Sequence, residues 1–387
     1  MDLLIELKEK AVGSAGEASA LPYSAYTSPE IHELERKRIF HGDWVFACNE
    51  FVVKNPGDKF AFNLAGEPVV IIRGKDGELR ALSNACRHRG TLLADDGFSS
   101  GNTNLVCPYH SWNYTEDGTL RGVPFPGDVK IDKKAHCLPR FALSVWNGLV
   151  FINIDGKAEP LEERLAGIDQ YIQYNKVGEF DSGYENESDY WDTNWKLAME
   201  NAMESYHLFK VHKPTLEVVT PTKGAFYIEG NAKWSVTAGE TQAPPMPKWL
   251  SWIYNSAGKG NDHYILVSLP PSFVGVISSD GLFGYIAILP EGAGRSYIRG
   301  GGVGRGISEP KGAVKKFVDD FFAEDKFICE RAQKGMTTST AKGGQLVDLE
   351  RIVVDFHQYL AMKLFNVQPD DVYKNSDAPE RLAMTEV

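Results

Sequence analysis

The fold of the N-terminal part of this chain is decided by NACRHRG at residues 84–90 and CPYHSW at residues 107–112. Each segment contains one cysteine and one histidine, spaced so closely that both side chains can project from one loop tip. Two such loops facing each other can hold two metal ions, with both thiolates on one iron and both imidazoles on the other. This is the two-Cys, two-His ligation of a [2Fe–2S] cluster. The predicted ligands are Cys86, His88, Cys107 and His110.

A zinc site is the main alternative for these residues, because two cysteines and two histidines can also complete a tetrahedron. Zinc knuckles usually place both cysteines in one hairpin and both histidines on a helix, whereas each segment here mixes the two types. The mixed order favours the iron–sulfur cluster. The remaining cysteines, Cys48, Cys137 and Cys329, are expected to be small buried hydrophobic residues without disulfides.

The sequence around the two segments predicts a small all-β domain. From Trp44 to about Ile154, short β-branched and aromatic runs such as PVVIIR at residues 68–73 alternate with turn residues. A short amphipathic helix is predicted before this domain, at residues 28–43, and a larger part that mixes helices and strands follows it. We therefore predict an α+β protein. Its parts are an N-terminal helical segment (1–43), an all-β domain (44–155) and a larger C-terminal domain with an antiparallel sheet flanked by helices (156–387).

Length and charge narrow the possible functions. A chain of 387 residues is long enough for two or three domains. Lys and Arg number 41 against 52 Asp and Glu, so the net charge of -11 disfavours nucleic acids and anionic membrane surfaces as partners. No apolar run approaches the roughly 18 to 20 residues of a spanning helix, and the N-terminus lacks the layout of an export signal. We expect a cytoplasmic protein.

A second group of candidate ligands lies in DTNWKLAMENAMESYHLFKVHKP at residues 192–214. A helix is predicted over residues 194–210, with one apolar stripe that faces the core. A second stripe of this helix contains Lys196, Glu200, Glu204 and His207. On an isolated helix that stripe could equally be a solvated face with a Lys–Glu pair.

His212 favours a functional site over a solvated face. Pro214 disfavours helical geometry at the preceding residue, so the helix is expected to end close to His212 and to let two imidazoles converge. One carboxylate from elsewhere would then complete a 2-His-1-carboxylate triad, the ligand set of non-haem Fe(II) oxygenases.

Together the two groups resemble the large (alpha) subunit of the Rieske non-haem iron oxygenases. CRHRG followed by CPYHSW is similar to the Rieske domain of that family. The segment at residues 192–214 resembles the family's mononuclear-iron helix, in which Asn, an acidic residue and two His follow an Asn-Trp-Lys start. The resemblance implies that His207 and His212 are iron ligands. It also implies that Glu204 links the iron to a Rieske histidine of a neighbouring subunit, and that Asn201 supports the iron ligands.

The third iron ligand in the family is a later aspartate on a helix. The stretch FFAEDKFICERAQKG at residues 321–335 resembles that region, and the resemblance assigns the role to Asp325. Asp319, Asp320 and Glu324 are close competitors for it.

The resemblance also implies the partners of the chain. Electrons would come from NAD(P)H through a separate reductase or ferredoxin, since a Rieske cluster carries one electron at a time. The chain has no dinucleotide-binding motif of its own, because GGGVGRG at residues 300–306 misses the required spacing and is predicted to be a turn. A head-to-tail homotrimer is implied, in which each iron receives electrons across a subunit boundary.

The substrate class is left open between two kinds of small molecule. A glutamate at position 204 resembles the carnitine, choline and glycine betaine oxygenases, which points to hydroxylation or oxidative demethylation of a quaternary amine or betaine with O₂. Three aromatic residues could cage a quaternary ammonium by cation–π attraction, although a core or interface role is more common for such a cluster: Trp249, Trp252 and Tyr254.

The alternative within the family is an aromatic-ring or aromatic-acid hydroxylase. An arene would need only an apolar pocket, for which four residues are eligible: Phe226, Phe273, Phe283 and Tyr285. An alternative from another class is a Rieske electron-transfer protein without oxygenase activity. A carboxylate di-iron site is disfavoured, because it needs a second Glu-x-x-His that the sequence lacks.

Overall fold

The computed structural model describes residues 2–12, 16–172, 180–186, 188–242, 263–278, 281–368 and 373–378. These ranges form an N-terminal β domain and a larger domain in which helices flank an antiparallel sheet. The predicted α+β class is therefore confirmed. Within the ranges described, no helix combines the length and the apolar character needed to cross a bilayer.

The N-terminal segment is helical in short pieces. It contains α1 (Asp2–Ala11), a 3₁₀ turn (Tyr23–Tyr26), α2 (Pro29–Glu35) and a π-helical turn (Arg36–Phe40). Helix α2 begins after Ser28, whose hydroxyl accepts a hydrogen bond from the Ile31 backbone N–H at 3.2 Å. The helix predicted at residues 28–43 is thus α2 followed by the π-helical turn.

The β domain is built on one long antiparallel sheet, with strands in the order β1-β10-β9-β4-β3-β2-β5. Its strands are β1 (Val45–Asn49), β2 (Lys59–Leu64), β3 (Glu67–Arg73), β4 (Leu79–Ser83), β5 (Gly97–Ser99), β9 (Arg140–Trp146) and β10 (Leu149–Asn153). Asn147 and Gly148 both have positive φ and join β9 to β10 in a two-residue turn, as Asn-Gly pairs favour.

A small second sheet carries one Cys/His segment, residues 107–112, between its first two strands, whereas the other segment, residues 84–90, follows β4 of the long sheet. The small sheet consists of β6 (Leu105–Val106), β7 (Asn113–Tyr114) and β8 (Leu120–Gly122). Its apolar side forms a separate small core against the long sheet, and both Cys86 and Cys107 are buried in that core. The two segments are therefore held by packing as well as by their loops.

The C-terminal domain is organised around an antiparallel sheet with the strand order β11-β18-β17-β16-β15-β14-β13-β19, and β12 also pairs with β18. The strands are β11 (Ser182–Glu185), β12 (Asp189–Trp191), β13 (Phe226–Gly230), β14 (Ser235–Glu240), β15 (His263–Leu269), β16 (Phe273–Ile277), β17 (Phe283–Gly292), β18 (Arg295–Gly304) and β19 (Tyr373–Lys374). The helices are α3 (Leu161–Arg164), α4 (Asp169–Ile172), α5 (Trp195–Met203), α6 (Leu208–Val211), α7 (Leu216–Val219), α8 (Gly312–Gly335) and α9 (Arg351–Phe365).

Helix α5 packs on strands β15 to β17 and is flanked by α8 and α9. It begins at Asn194, whose side-chain oxygen accepts a hydrogen bond from the Lys196 backbone N–H at 3.0 Å. Trp195 and Met199 are fully buried in the core that this helix shares with the β domain. The packing places the C-terminal end of α5 beside the middle of α8.

The turn predicted at residues 300–306 is wrong, since most of this segment belongs to β18. Residues 300–303 pair with β17 on one side, and residues 301–304 pair with β11 on the other. Glycine is tolerated at residues 300–302 because the rings of Phe322, Tyr285 and Tyr184 occupy the space of the missing side chains. Strand pairing on two sides outweighs the low strand propensity of glycine.

Candidate active site and metal centres

Two histidines and one aspartate converge at the end of α5. His212 Nε2 lies 2.9 Å from Asp325 Oδ1, and His207 Nε2 lies 3.5 Å from the same oxygen. One ligand atom of each residue lies within 4.8 Å of the corresponding atoms of the other two. Two imidazole nitrogens and one carboxylate in this arrangement are suited to a single divalent metal ion with open coordination positions.

The histidines converge because the helix breaks between Met203 and His207. Glu204 has extended backbone angles, φ −107° and ψ 157°. Its carboxylate accepts hydrogen bonds from the backbone N–H groups of Tyr206 and, at 3.1 Å, of His207. The continuous helix predicted to residue 210 is therefore wrong. His207 and His212 instead stand at the two ends of the single turn α6, which brings their rings to 5.0 Å between centroids.

Each histidine is also held at its other ring nitrogen by a glutamate. Glu204 Oε1 lies 2.6 Å from His207 Nδ1, and Glu324 Oε2 lies 2.8 Å from His212 Nδ1. A carboxylate that accepts the Nδ1 proton leaves the Nε2 lone pair directed at the metal position, and it makes the imidazole a better ligand. Both histidines are thus oriented for metal binding in the same way.

The contacts of Asp325 differ from those of the neighbouring carboxylates in the sequence. Asn201 Nδ2 donates to Asp325 Oδ1 at 2.7 Å, which holds this carboxylate toward the imidazoles. Asp319 and Asp320 each pair with a lysine one turn earlier on the exposed side of α8. Glu324 contacts the Nδ1 side of His212 rather than the Nε2 side. Among the predicted competitors, Asp325 is the carboxylate that faces both Nε2 atoms.

The charges of this cluster are coupled. Burial alone would lower the pKa of His207, but its bonds to Asp325 and Glu204 outweigh burial and raise the pKa to about 10. Burial alone would raise the pKa of Asp325, but its bonds to the two histidines lower it to about 2. The carboxylates around His207 therefore favour a positive charge at this position, which a bound metal ion would supply.

The other members of the predicted helix stripe do not face solvent. Lys196 Nζ lies 2.6 Å from Glu35 Oε1, and both side chains are fully buried. Glu200 accepts a hydrogen bond from Tyr26 at 2.7 Å and contacts His357 Nε2 at 3.0 Å. The solvated Lys–Glu pair is therefore absent. These contacts anchor α5 to the N-terminal segment and to α9.

The two Cys/His loops of the β domain have matching backbones. The N–H of Gly90 donates to the Cys86 carbonyl and that of Ser111 to the Cys107 carbonyl, each at 2.9 Å. Gly90 and Ser111 both have positive φ, which turns each loop back toward the domain. Each loop consequently buries its cysteine. The imidazoles of the two loops, by contrast, are exposed at the tip with 4.8 Å between ring centroids.

Groups around the cysteines suit a thiolate-bound cluster. Burial alone would raise the pKa of Cys107, but the backbone N–H groups of Tyr109 and His110 and the neighbouring Cys86 lower it. The Tyr114 hydroxyl lies 3.3 Å from Cys86 Sγ. Two adjacent buried thiols below two exposed imidazoles fit the Cys₂ and His₂ sides of a Rieske-type [2Fe–2S] cluster.

The three remaining cysteines are free. Cys48 and Cys329 are buried as expected, and burial raises the pKa of both thiols. The expectation is wrong for Cys137, which is only partly buried and whose thiol donates to the Lys133 carbonyl. A 3₁₀ turn at residues 134–136 places it near the surface.

A cavity of about 380 Å³ opens beside His207, His212 and Asp325. Apart from the metal-site carboxylates, the described residues that line it are largely apolar or aromatic. They include Tyr184, Leu216, Tyr264, Leu266, Val274, Val276, Leu282, Gly284, Tyr285, Ile286, Phe317, Phe321 and Phe322. A site of this kind excludes bulk water from the metal position and accepts a small organic molecule.

All four residues proposed for an apolar pocket lie in the core between the large sheet and the β domain: Phe226, Phe273, Phe283 and Tyr285. Tyr285 also borders the cavity, but its ring packs against Phe46 and Phe273. The proposed cage of Trp249, Trp252 and Tyr254 lies outside the described residues. Tyr184, Tyr264 and the α8 phenylalanines were missed because nothing in their local sequence distinguishes a cavity-facing position from a core position.

The chain matches two family models. Residues 43–134 match the Rieske [2Fe-2S] domain, and residues 177–263 match the catalytic domain of the ring hydroxylating alpha subunit. The resemblance recognised in the sequence is confirmed by these matches. They also confirm the expected cofactors, a [2Fe–2S] cluster for the first domain and a non-haem iron ion for the second.

Individual relatives act on different substrates. The chain is 33% identical over 195 residues to the anthranilate 1,2-dioxygenase large subunit of Acinetobacter baylyi, which covers 48% of this chain and 41% of the relative. It is 29% identical over 244 residues to the carnitine monooxygenase oxygenase subunit of Acinetobacter baumannii, a match that covers 62% of this chain and 64% of the relative. The chain thus spans roughly two fifths to two thirds of the length of these relatives.

A solved structure extends the similarity of fold over most of the chain. A quaternary ammonium Rieske monooxygenase superposes with a TM-score of 0.77 at 21% identity, covering 92% of this chain and 98% of that one. At this identity the superposition establishes a common fold.

Proposed function

We propose that this chain, which belongs to the Rieske non-haem iron oxygenases, is an oxygenase component that hydroxylates or oxidatively demethylates a small organic substrate with O₂. The observation that carries the proposal is the convergence of His207, His212 and Asp325 at one end of an apolar cavity. An electron-transfer protein has no need for a three-ligand site that opens into such a cavity. A quaternary amine or betaine is one candidate substrate, and an aromatic ring or aromatic acid is the other.

In this proposal His207, His212 and Asp325 hold the iron, and Cys86, His88, Cys107 and His110 hold the cluster. When bound, the ferrous ion supplies O₂ activation and the cluster supplies single electrons. Glu324 holds His212 in the tautomer that binds metal, and Asn201 keeps Asp325 turned toward the site. The apolar walls exclude water and orient the substrate beside the open side of the ligand set.

Glu204 is the proposed connection between the two centres. Its carboxylate contacts His207 Nδ1 and is 10% exposed, so it can meet an imidazole of another subunit. Exposure of His88 and His110 at the tip of the β domain is consistent with such a contact. We accordingly propose a head-to-tail homotrimer with a separate NAD(P)H-dependent reductase or ferredoxin as electron donor.

The proposed domain division assigns residues 1–43 to the N-terminal segment, 44–155 to the Rieske domain and 156–387 to the catalytic domain. The long sheet of the β domain ends with β10 at Asn153, and the contacts of α1 with α9 tie the N-terminal segment to the catalytic domain. Limited proteolysis with mass spectrometry of the fragments would test these boundaries. Cleavage inside 44–155 before cleavage near 155 would contradict them.

The proposed reaction is tested with the anaerobically reconstituted chain and a generic reductase. Substrate-dependent O₂ uptake and product formation are measured with a panel of carnitine, glycine betaine, benzoate, anthranilate and naphthalene. Uptake that matches oxygenated product for at least one compound supports an oxygenase. Rapid reduction of the cluster without O₂ uptake for any compound would favour the electron-transfer alternative.

The role of Glu204 is tested by Glu204→Gln, which keeps the size of the side chain and removes its charge. We expect both metal sites to remain loaded while coupled turnover is largely abolished, since the link between the centres loses its charged acceptor. Iron and acid-labile sulfide analysis reports the loading. Unaltered coupled product formation would contradict the role.

A further inference from the structure

The floor of the cavity is the face of the large sheet, and one row of residues crosses it. Register places Leu266 opposite Val276, Val276 opposite Gly284, Gly284 opposite Gly302 and Gly302 opposite Tyr184. Because directly paired residues project to the same face, this row lies on one side of β15, β16, β17, β18 and β11. Two adjacent positions of this row, Gly284 and Gly302, have no side chain.

The glycines of this face differ in what fills their missing side chains. A Cβ at Gly302 would lie 3.0 Å from the Tyr184 ring and 3.1 Å from Leu282. A Cβ at Gly300 would lie 3.0 Å from Asn186 and 3.1 Å from Phe322. At these two positions protein side chains already occupy the space. They form walls that rise from the floor of the cavity.

Gly284 is different, because the space above it is empty of described protein atoms. The nearest described heavy atoms to a Cβ there are two backbone carbonyl oxygens at 3.9 Å, those of Gly301 and Val276. Its φ does not lie in the left-handed region, so the backbone can accept any L residue. Gly284 also lines the cavity beside the iron ligands. A strand residue with a side chain at this position would therefore project into the cavity.

We propose that Gly284 is a specificity-determining residue, over which an apolar aryl or alkyl group of the substrate lies against bare backbone. This proposal rests on the proposed function, since it assumes that the cavity holds the substrate. Tyr184 and Phe322 flank the opening, and the aromatic side chains Phe317 and Phe321 of α8 line the same cavity. The group held there is thus bounded by apolar surfaces and by the sheet. The size of residue 284 then sets the largest group that fits.

The test is equilibrium binding of two probes of different size, benzene and naphthalene, to the iron-loaded chain under anaerobic conditions without reductase. The variants are Gly284→Ala and Gly284→Val. The matched control is Gly122→Val, because Gly122 also lies in a strand without positive φ and has no neighbouring atom within 4 Å of a Cβ. Thermal midpoint and cluster absorbance are recorded for every variant to establish that the fold is retained.

We expect Gly284→Val to weaken naphthalene binding at least tenfold while benzene binding changes less than threefold. The naphthalene affinity of Gly284→Ala should lie between those of the wild type and Gly284→Val. Gly122→Val should bind both probes like the wild type. The proposal would be overturned if both probes lost affinity equally, or if the ratio of naphthalene to benzene affinity stayed unchanged in both Gly284 variants. A wild type that binds neither probe would also overturn it. A chain that binds the probes as expected but consumes no O₂ with any compound would refute the proposed oxygenase while leaving the role of Gly284 intact.

Discussion

Replacing Glu324 removes the carboxylate that holds His212 from the side opposite the metal position. Glu324 Oε2 lies 2.8 Å from His212 Nδ1, and it also accepts a hydrogen bond from the Thr215 hydroxyl at 2.5 Å. The His212 side chain is fully buried, so its Nδ1 depends on neighbouring protein groups for a hydrogen-bond partner. We expect the metal affinity of the site to fall because the imidazole loses both its fixed tautomer and its enhanced basicity.

The size of the effect follows from what each substitution retains. Loss of such a partner typically costs 10- to 100-fold in metal affinity, which corresponds to about 1.4 to 2.8 kcal/mol. Glu324→Gln keeps a neutral carbonyl oxygen that can still accept from His212 and Thr215, so we expect a loss of about tenfold. Glu324→Ala leaves both groups without this partner, so we expect a loss of about 100-fold.

The assay is anaerobic titration with Fe(II) in competition with a chelator of known affinity, repeated with Co(II), whose visible absorption reports the ligand geometry. Asp320→Asn is the matched control, because Asp320 lies one turn earlier on α8 and pairs with Lys316 at the surface. We expect the metal affinity of this control to stay within twofold of the wild type, as exposed pairs contribute little. Glu324→Ala with wild-type affinity would refute the role inferred for Glu324.

Three further predictions concern stability, pH dependence and redox potential. Lys196→Met leaves the buried Glu35 carboxylate without its ion-pair partner, so the free energy of unfolding in urea should fall by about 3 to 5 kcal/mol. The double variant with Glu35→Gln should largely recover this stability. A double variant that recovers none of it would contradict the pairing. The neighbours of His207 raise its pKa to about 10, so a metal that binds below that pH must displace a proton. Metal affinity should therefore rise from pH 7 toward pH 10, and calorimetry in two buffers should detect proton release. A metal affinity that does not change with pH would contradict this prediction. Tyr114→Phe removes the hydroxyl beside Cys86 Sγ, so the cluster's midpoint potential should drop at unchanged iron content, and an equal potential would show that the contact has no effect.

The sequence was informative where chemistry depends on close spacing. Cys86 with His88, and Cys107 with His110, stand two and three residues apart, so each loop must present both groups together whatever the rest of the fold does. His207 and His212 were identified for the same reason. The helix break that brings them together comes earlier than the sequence predicts, because the capping role of the Glu204 carboxylate has no distinct local signature.

Other features depended on partners far away in the chain. Lys196 has the spacing of a surface residue, but its partner Glu35 lies 161 positions earlier, and the pair is buried. GGGVGRG has the composition of a turn, but pairing on both sides makes most of it a strand. In both cases long-range contacts outweigh local preference, which is a weak determinant by itself.

The amino-acid sequence by itself determined which candidate metal ligands this protein has, namely its thiolates, imidazoles and carboxylates. It also determined which of these groups lie close together along the chain. Only the tertiary structure decided that Asp325 rather than Asp319 or Asp320 faces the histidines, and that no side chain among the described residues fills the space above Gly284. The physical reason is that ligand chemistry resides in single side chains, whereas a cavity and a convergent ligand set are properties of surfaces. Such surfaces exist only after distant segments have packed against one another.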